Sequence, residues 1–411
     1  MKRVLFTLAA FTAVCAAQSP ETPTHQEIAP IKIPLGEEGT LKTISMDRRG
    51  NLLVGVSFRA PAGAVAAAKP KLMDRLSEAS RAGDAKAWDK VVTEATVEEL
   101  QEAMMSADQE TRGEIMNLLS QEKRDAVTQA MRGGRRGIRD MNPDARGGIS
   151  PQLSTDHEGH AYELKVVSPD GKVLSTWAMS DGLMPKMIFG CPDGAVYVAG
   201  GGKLAQFTED GKLVKMVDTD AVCGQKATAS GICADATHVY LALGMGNSTR
   251  ATEDLYKFKR DLSEPKMIVE RQFGCCSHID LRVNAGELLI AENSRHRVNL
   301  FDLDGKPKTT WGQRDRSSIE GFTACCNPCN IDFGPGGVLY TAESGVGRVK
   351  KYSPDGKFLG LVGYVDTTKF DSGGQLAATS CYIPMEVNAD ASRIYVMDVR
   401  AAIIRVLAKK S

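Results

Sequence analysis

The pairs Cys275-Cys276 and Cys325-Cys326, the second continuing to Cys329 in the run CCNPC, are the residues of this 411-residue chain best equipped for chemistry. Thiols so placed can do three things. They can oxidise to disulfides, as strained vicinal bridges or outward to Cys223, Cys329 or Cys381. They can, as thiolates with His278 and with His157 or His160, collect a soft ion such as Zn(II) or Cu(I), although CCxxC has no fixed zinc-site spacing. They can act as exposed redox thiols, which requires a lowered thiol pKa. The residues leave all three open. The chain holds ten cysteines, one of them Cys15; the other nine are an odd number, so at least one is a free thiol, an intermolecular bridge or a metal ligand.

What must position these thiols is a repeated unit. Thr323–Gly363 reads as four short strands, Asn330–Phe333, Val338–Glu343, Arg348–Tyr352 and Lys357–Val362, separated by Pro335-Gly336-Gly337, a Gly-rich turn and Pro354-Asp355-Gly356. Related blocks occupy Met187–Val217, Gly231–Ile268, His278–Trp311 and Met385–Leu407. A further unit begins with Leu41–Asp47 and Leu52–Phe58, breaks off, and resumes at His160–Val167 and Lys172–Trp177. Six units recurring at roughly 40–50 residues is the spacing of propeller blades. The last unit has only three strands, and the otherwise partnerless Ile28–Pro34 supplies its outer strand, closing the ring without an open edge.

The interruption, residues 60–148, is rich in Ala, Glu, Lys, Arg and Met, with apolar residues at helical spacing and capping boxes at Thr96/Glu99 and Ser106/Gln109. It predicts three to five helices ending in an Arg-rich solvated stretch (Arg132, Arg135, Arg136, Arg139, Arg146). The expected fold is therefore all-β, a six-bladed propeller from 28–59 and 160–408, with an inserted α-helical subdomain.

Balanced charge, 51 basic against 51 acidic residues, argues against bulk nucleic-acid binding. The chain opens with Lys2-Arg3, an apolar run Val4–Ala17 and small residues at Ala13, Ala16 and Ala17, the pattern of a secretory signal peptide spanning 1–17. A lipoprotein reading would anchor Cys15, but Val14 stands where a small residue is wanted. With no later span, the mature chain is expected to be secreted or periplasmic.

Blocks such as NIDFGPGGVLYTAE, GRVKKYSPDGKFLGLVG and HRVNLFDLDGKPKTTWG resemble NHL repeats, with Arg297, Arg348 and Arg405 at the matching start of the third strand. The resemblance covers most of the chain outside the insert. It implies a propeller that serves either as a binding scaffold or as a lyase or hydrolase. The lyase branch uses several histidines on zinc, and the six His here cannot be matched to such a set.

Strand direction alone puts Cys223, Cys275, Cys276, Cys325, Cys326, Cys329 and Cys381, each before an innermost strand, on one face together with the insert, His157, His160 and His296. Cys191 falls on the opposite face, and His25 reads as part of a flexible tail. Aligning inner strands on their apolar residues places Asp280, Asp332, Glu386, Cys233 and Ser45 at one level around the axis. Carboxylates there must meet water, a cation such as Zn, Cu or Ca, a basic partner, or backbone N–H groups. Two functions follow: a scaffold that engages a metal ion, small ligand or protein at the cysteine-rich axial face, or a metal-assisted lyase or hydrolase using Asp280, Asp332 and Glu386 with His278 at the same place.

Overall fold

The computed structural model describes residues 21–60, 72–81, 85–106, 109–136, 160–245, 252–275, 278–323, 326–365 and 382–411. Twenty-four strands form six four-stranded antiparallel sheets. Numbered in chain order, blade 1 is β2 (Thr40–Met46), β3 (Leu52–Arg59), β4 (His160–Val167) and β5 (Val173–Ala178). Blade 2 is β6–β9 (Met187–Gly190, Val196–Gly200, Lys203–Phe207, Leu213–Asp218), and blade 3 is β10–β13 (Ala227–Ala234, His238–Met245, Thr252–Lys259, Lys266–Phe273). Blade 4 is β14–β17 (Asp280–Asn284, Glu287–Glu292, Arg297–Asp302, Pro307–Trp311), and blade 5 is β18–β21 (Asn330–Phe333, Leu339–Glu343, Arg348–Tyr352, Phe358–Tyr364).

Blade 6 takes β22 (Met385–Val387), β23 (Arg393–Asp398) and β24 (Ile403–Lys409) from the C-terminus and its outer strand β1 (His25–Lys32) from the N-terminus, as the three-strand last repeat implied. The closing strand begins earlier than the apolar run suggested. His25, expected in a tail, is its first residue: it is buried, pairs with Lys409 and donates Nε2–H to Ala391 O at 2.9 Å. Its partner is a carbonyl some 366 positions away in sequence, which no local pattern reveals.

Alternation drives the rest. Val196, Val198, Leu241, Leu243, Leu288 and Ile290 on second strands are fully or almost fully buried between sheets, each worth about 1.5–3 kcal/mol of burial. Adjacent blades lock through tryptophan. Trp311 on the outer strand of blade 4 lies against the turn of blade 5 and donates Nε1–H to Pro354 O at 3.0 Å. Only glycine fits the next turn position: Gly356 has φ +93°, and a Cβ there would sit 2.4 Å from the Trp311 ring.

Between β3 and β4 the described residues form five helices, α1 (Leu72–Arg81), α2 (Ala85–Glu94), α3 (Val97–Ser106), α4 (Gln109–Leu118) and α5 (Gln121–Arg136). Leu72, Leu76, Val92, Leu100, Met104, Ile115, Leu119 and Val127 make their shared core. The Thr96/Glu99 capping box forms in both directions, Glu99 N–H to Thr96 Oγ1 at 3.2 Å and Thr96 N–H to Glu99 Oε2 at 2.8 Å. The cap at Ser106/Gln109 and the arginines Arg139 and Arg146 lie outside what is described.

Two glycine substitutions should move stability in opposite directions. Gly356→Ala forces both an unfavourable φ and a ring clash, and should cost about 2–3 kcal/mol in urea unfolding. Gly113→Ala, mid-helix in α4 with nothing within 4 Å of a new Cβ, should stabilise the helices by about 0.5–1 kcal/mol. Equal effects would show that the blade-to-blade turn is not under the constraint described.

Candidate functional site

Hairpin pairing fixes which side chains share a level around the axis. Ser45 pairs with Leu53, Phe189 with Tyr197, Cys233 with Tyr240, Arg282 with Leu289, Asp332 with Tyr340 and Glu386 with Tyr395. The expected ring of Asp280, Asp332, Glu386, Cys233 and Ser45 is thus correct at four positions and displaced at one. Asp280 pairs with Ala291 two residues earlier, level with Asn330, which pairs with Ala342. Arg282 holds the place assigned to Asp280. A slip of two residues keeps every side chain on its own face of the sheet, so alternation of apolar residues cannot detect it.

Arg282 is the group the sequence reading missed, and it organises the axis. Its Nη1 donates to Asp280 Oδ1 at 2.7 Å, its Nε to Asp332 Oδ1 at 3.1 Å and its Nη2 to Glu386 Oε1 at 3.2 Å. One guanidinium therefore joins blades 4, 5 and 6. The second oxygens of the two aspartates are taken by the next blade: Asp280 Oδ2 accepts from Ile331 N–H at 2.8 Å and from the Asn330 side-chain Nδ2 at 3.1 Å, and Asp332 Oδ2 from Val387 N–H at 2.7 Å. Ser45 makes the same blade-to-next-blade contact with Gly190 N–H at 3.2 Å. Two of the explanations offered for axial carboxylates, a basic partner and backbone N–H groups, are therefore realised together.

Burial pushes Asp332 upward from the usual carboxylate pKa, against the pull of Arg282. Burial and then the neighbouring Asp332 charge push Glu386 well above it. The Arg282 guanidinium, disfavoured by burial but surrounded by Asp280, Asp332 and Glu386, is held more firmly protonated than usual. A proton retained on Glu386 would leave one cation facing two carboxylates.

Above this layer sits His278, buried, with Nε2 3.1 Å from Cys329 O and 3.3 Å from Asn330 Nδ2, and its ring edge against Tyr382 at 4.6 Å. His278, Asp280, Arg282, Asn330, Tyr382 and Glu386 line a cavity of about 20 Å³, room for one water. Among the described residues, these side chains fill most of the axis beneath the cysteine face.

The cysteines divide. Cys275 and Cys326, from the connections into blades 4 and 5, bring their Sγ atoms to 2.6 Å. Cys329 is buried just before β18, and Cys223 ends the short helix α6 (Thr219–Cys223) that leads into blade 3. Cys233 is fully buried in β10, and burial pushes its thiol well above the ordinary value. Cys191, on the far face, is buried and pushed up to about 12. Burial also raises Cys223. These three thiols are the reverse of activated nucleophiles. His160 begins β4, two strands out from the axis, while His278 stands at it. Cys276, Cys325, Cys381 and His157 lie outside the described residues. Among the described residues no three His, Cys, Asp or Glu side chains converge as a metal ion requires.

Acidic groups on the same face serve the fold. Glu343 pairs with Arg348 through two hydrogen bonds of 2.9 Å and with the buried Lys350 at 2.9 Å, and takes Thr323 N–H at 3.4 Å. Burial lowers Lys350 to about 8. Glu292 binds Arg297, Asn299 Nδ2 at 3.0 Å and Phe273 N–H at 3.1 Å. Each carboxylate anchors the connection entering its own blade. Arg405, aligned in sequence with Arg297 and Arg348, pairs instead with Val396, level with Lys350, and reaches Asp398 Oδ2 at 2.8 Å from Nε. This is a second slip of two.

No family model matches the chain, and no curated protein matches it. Solved structures resemble it in outline. A gluconolactonase from Xanthomonas campestris aligns at 12% identity and TM-score 0.41, covering 61% of this chain and 82% of that one. Regucalcin from Agrobacterium tumefaciens, a calcium-binding protein, aligns at 12% and 0.40 over 61% and 85%. A glutaminyl cyclase from Myxococcus xanthus aligns at 16% and 0.34 over 53% and 88%. At such identities and scores nothing about activity carries over to this chain.

Removing the guanidinium should be costly. Arg282→Met strands three buried carboxyl groups and should lower stability by about 3–5 kcal/mol in urea, with part recovered when Asp332→Asn and Glu386→Gln are added. An unchanged midpoint would refute the network as a structural centre. A second carboxyl has a distinct signature. Burial pushes Glu253, at the start of β12, up to about 7 from an ordinary 4.5, with Ser230 and Lys186 pulling the other way. The folded state then holds a proton that the unfolded chain releases, so stability falls as pH rises from 4.5 through 7. Glu253→Gln should stabilise by about 1–3 kcal/mol at pH 8 and much less at pH 5.

Proposed function

We propose that this protein is an exported NHL-type propeller working as a binding scaffold, with a protein or small-molecule ligand engaged on the axial face that carries the cysteines. One observation carries the reading: Arg282 fills the centre of the carboxylate ring and leaves beneath the face a cavity of about 20 Å³. A metal-assisted lyase or hydrolase needs those carboxylates to face a cation and a substrate. Here they face a guanidinium and backbone N–H groups, and the cavity beside them has room for about one water. Ligand contact is left to the surface above: the connections into the inner strands and the second-to-third-strand loops. The opening seventeen residues, with their basic start and apolar run, support export, and among the described residues no helix is long and apolar enough to cross a membrane.

Photo-crosslinking from single positions tests this. Probes at Ser294 and Val346, exposed in second-to-third-strand loops, should capture a partner from the native compartment, while probes at Asp304 and Asp355, exposed in turns of the opposite face, should not. Capture from the opposite face would overturn the assignment. Calorimetric titration with calcium, zinc and copper(I) provides the other arm. Stoichiometric uptake abolished by Asp332→Asn or Glu386→Gln would replace the scaffold with the metal-assisted enzyme.

A further inference from the structure

We propose that Cys275 and Cys326 are a redox pair that joins blades 4 and 5 covalently by thiol–disulfide exchange, in preference to the vicinal pairings that the adjacent cysteines suggest. Their sulfurs are 2.6 Å apart although 51 positions separate them in sequence. Separate clamps hold each half. On the blade 4 side, Cys275 N–H donates to Asn293 Oδ1 at 2.7 Å, and Asn293 Nδ2 donates to His278 O at 2.9 Å. Cys275 O in turn accepts His278 N–H at 3.2 Å. On the blade 5 side, Cys326 takes φ +64°, and the next residue, Asn327, is fully buried. Asn327 Oδ1 accepts Ser344 N–H at 2.8 Å, and its Nδ2 donates to Ser344 O at 3.1 Å. Both asparagines fasten a cysteine-bearing connection to the second-to-third-strand loop of its own blade, so the two thiols meet without either loop having to rearrange.

The pair is also asymmetric. Cys326 is 1% exposed, whereas Cys275 is only partly covered. Cys275 is therefore the sulfur an oxidant reaches. With a low-molecular-weight disulfide RSSR as oxidant, Cys275 loses its proton to solvent and its thiolate attacks one sulfur, expelling RS⁻ and leaving a protein–SR mixed disulfide. The Cys326 thiolate then attacks Cys275 Sγ and expels the second RS⁻. Two thiols are oxidised, one disulfide is reduced to two RSH, and two electrons pass to the oxidant. The product fixes the entrances of β14 and β18, the strands that carry Asp280, Arg282 and Asp332. This holds whatever the face binds.

The test uses the full chain incubated with oxidised glutathione, alkylated, and digested with trypsin without reduction. A covalent link should appear between the peptides spanning 272–282 and 317–348. It should persist in a Cys276→Ser/Cys325→Ser/Cys329→Ala variant, vanish in Cys275→Ser, and raise the thermal midpoint by several degrees over the reduced protein. Oxidation confined within either peptide, or a link that survives Cys275→Ser, overturns the proposal. Should the triple variant fail to fold, fragmentation of the wild-type linked peptide locates the bonded sulfurs and decides between Cys275–Cys326 and any other pairing.

Discussion

A single buried guanidinium sets the terms for this propeller. Arg282 meets Asp280, Asp332 and Glu386 from three successive blades, within 3.2 Å in each case. Taking four ionisable groups out of water is expensive, and their attraction offsets that cost only when the remaining valences are satisfied. Backbone N–H groups of Leu281, Ile331 and Val387 supply that satisfaction for Asp280 and Asp332. The carboxylates thus act as splices, each holding an inner strand to the guanidinium and, for Asp280 and Asp332, to the next blade. Carboxylates spliced in this way are committed to the guanidinium and the backbone.

The consequence reaches the rim. Glu292 and Glu343, buried carboxylates near the cysteine face, are turned inward on Arg297, Arg348 and Lys350 and on the backbone of the entering connections. Asn293 and Asn327 do the same work without charge. Groups that a composition-based reading would assign to ligand binding are consumed in holding loops. Among the described residues, this face also carries sulfur, from the connections, and the exposed tips of its second-to-third-strand loops. Among the described residues, Cys275 and the Asn327 beside Cys326 are each tied by hydrogen bonds to a neighbouring loop.

Much of this architecture was legible because strands announce themselves by a period of two and turns by Gly, Pro and Asp. The six units, the helical interruption and the closure by an N-terminal strand all follow from those signals. The centre was not legible for the same reason. Aligning the dipeptide Ile279-Asp280 with Ile331-Asp332 is wrong by two residues, and a period of two is blind to a shift of two; Arg405 was misplaced by the same blindness. Counting back from the Ala-Glu ends of β15 and β19, Ala291-Glu292 and Ala342-Glu343, would have put Arg282 opposite Asp332. His25 was misread because its partner, Ala391, belongs to the other end of the chain.

The axis is also lopsided, which distinguishes one sector of the ring from the other. At the level of the guanidinium, blades 1 to 3 present Ser45, Phe189 and Cys233, small or apolar, while blades 4 to 6 present Arg282, Asp332 and Glu386. Cys275, Cys326, Cys329 and His278 gather on the charged side, over the seam between blades 4 and 5. A repeat protein built only for stability has no reason to break its pseudo-symmetry in this way, since every blade meets the same packing problem. Concentrating ion pairs, paired thiols and a buried imidazole in one sector costs desolvation and constrains two loops. That cost sets the seam between blades 4 and 5 apart from the rest of the ring, and it is there that the proposed ligand contact is to be sought first.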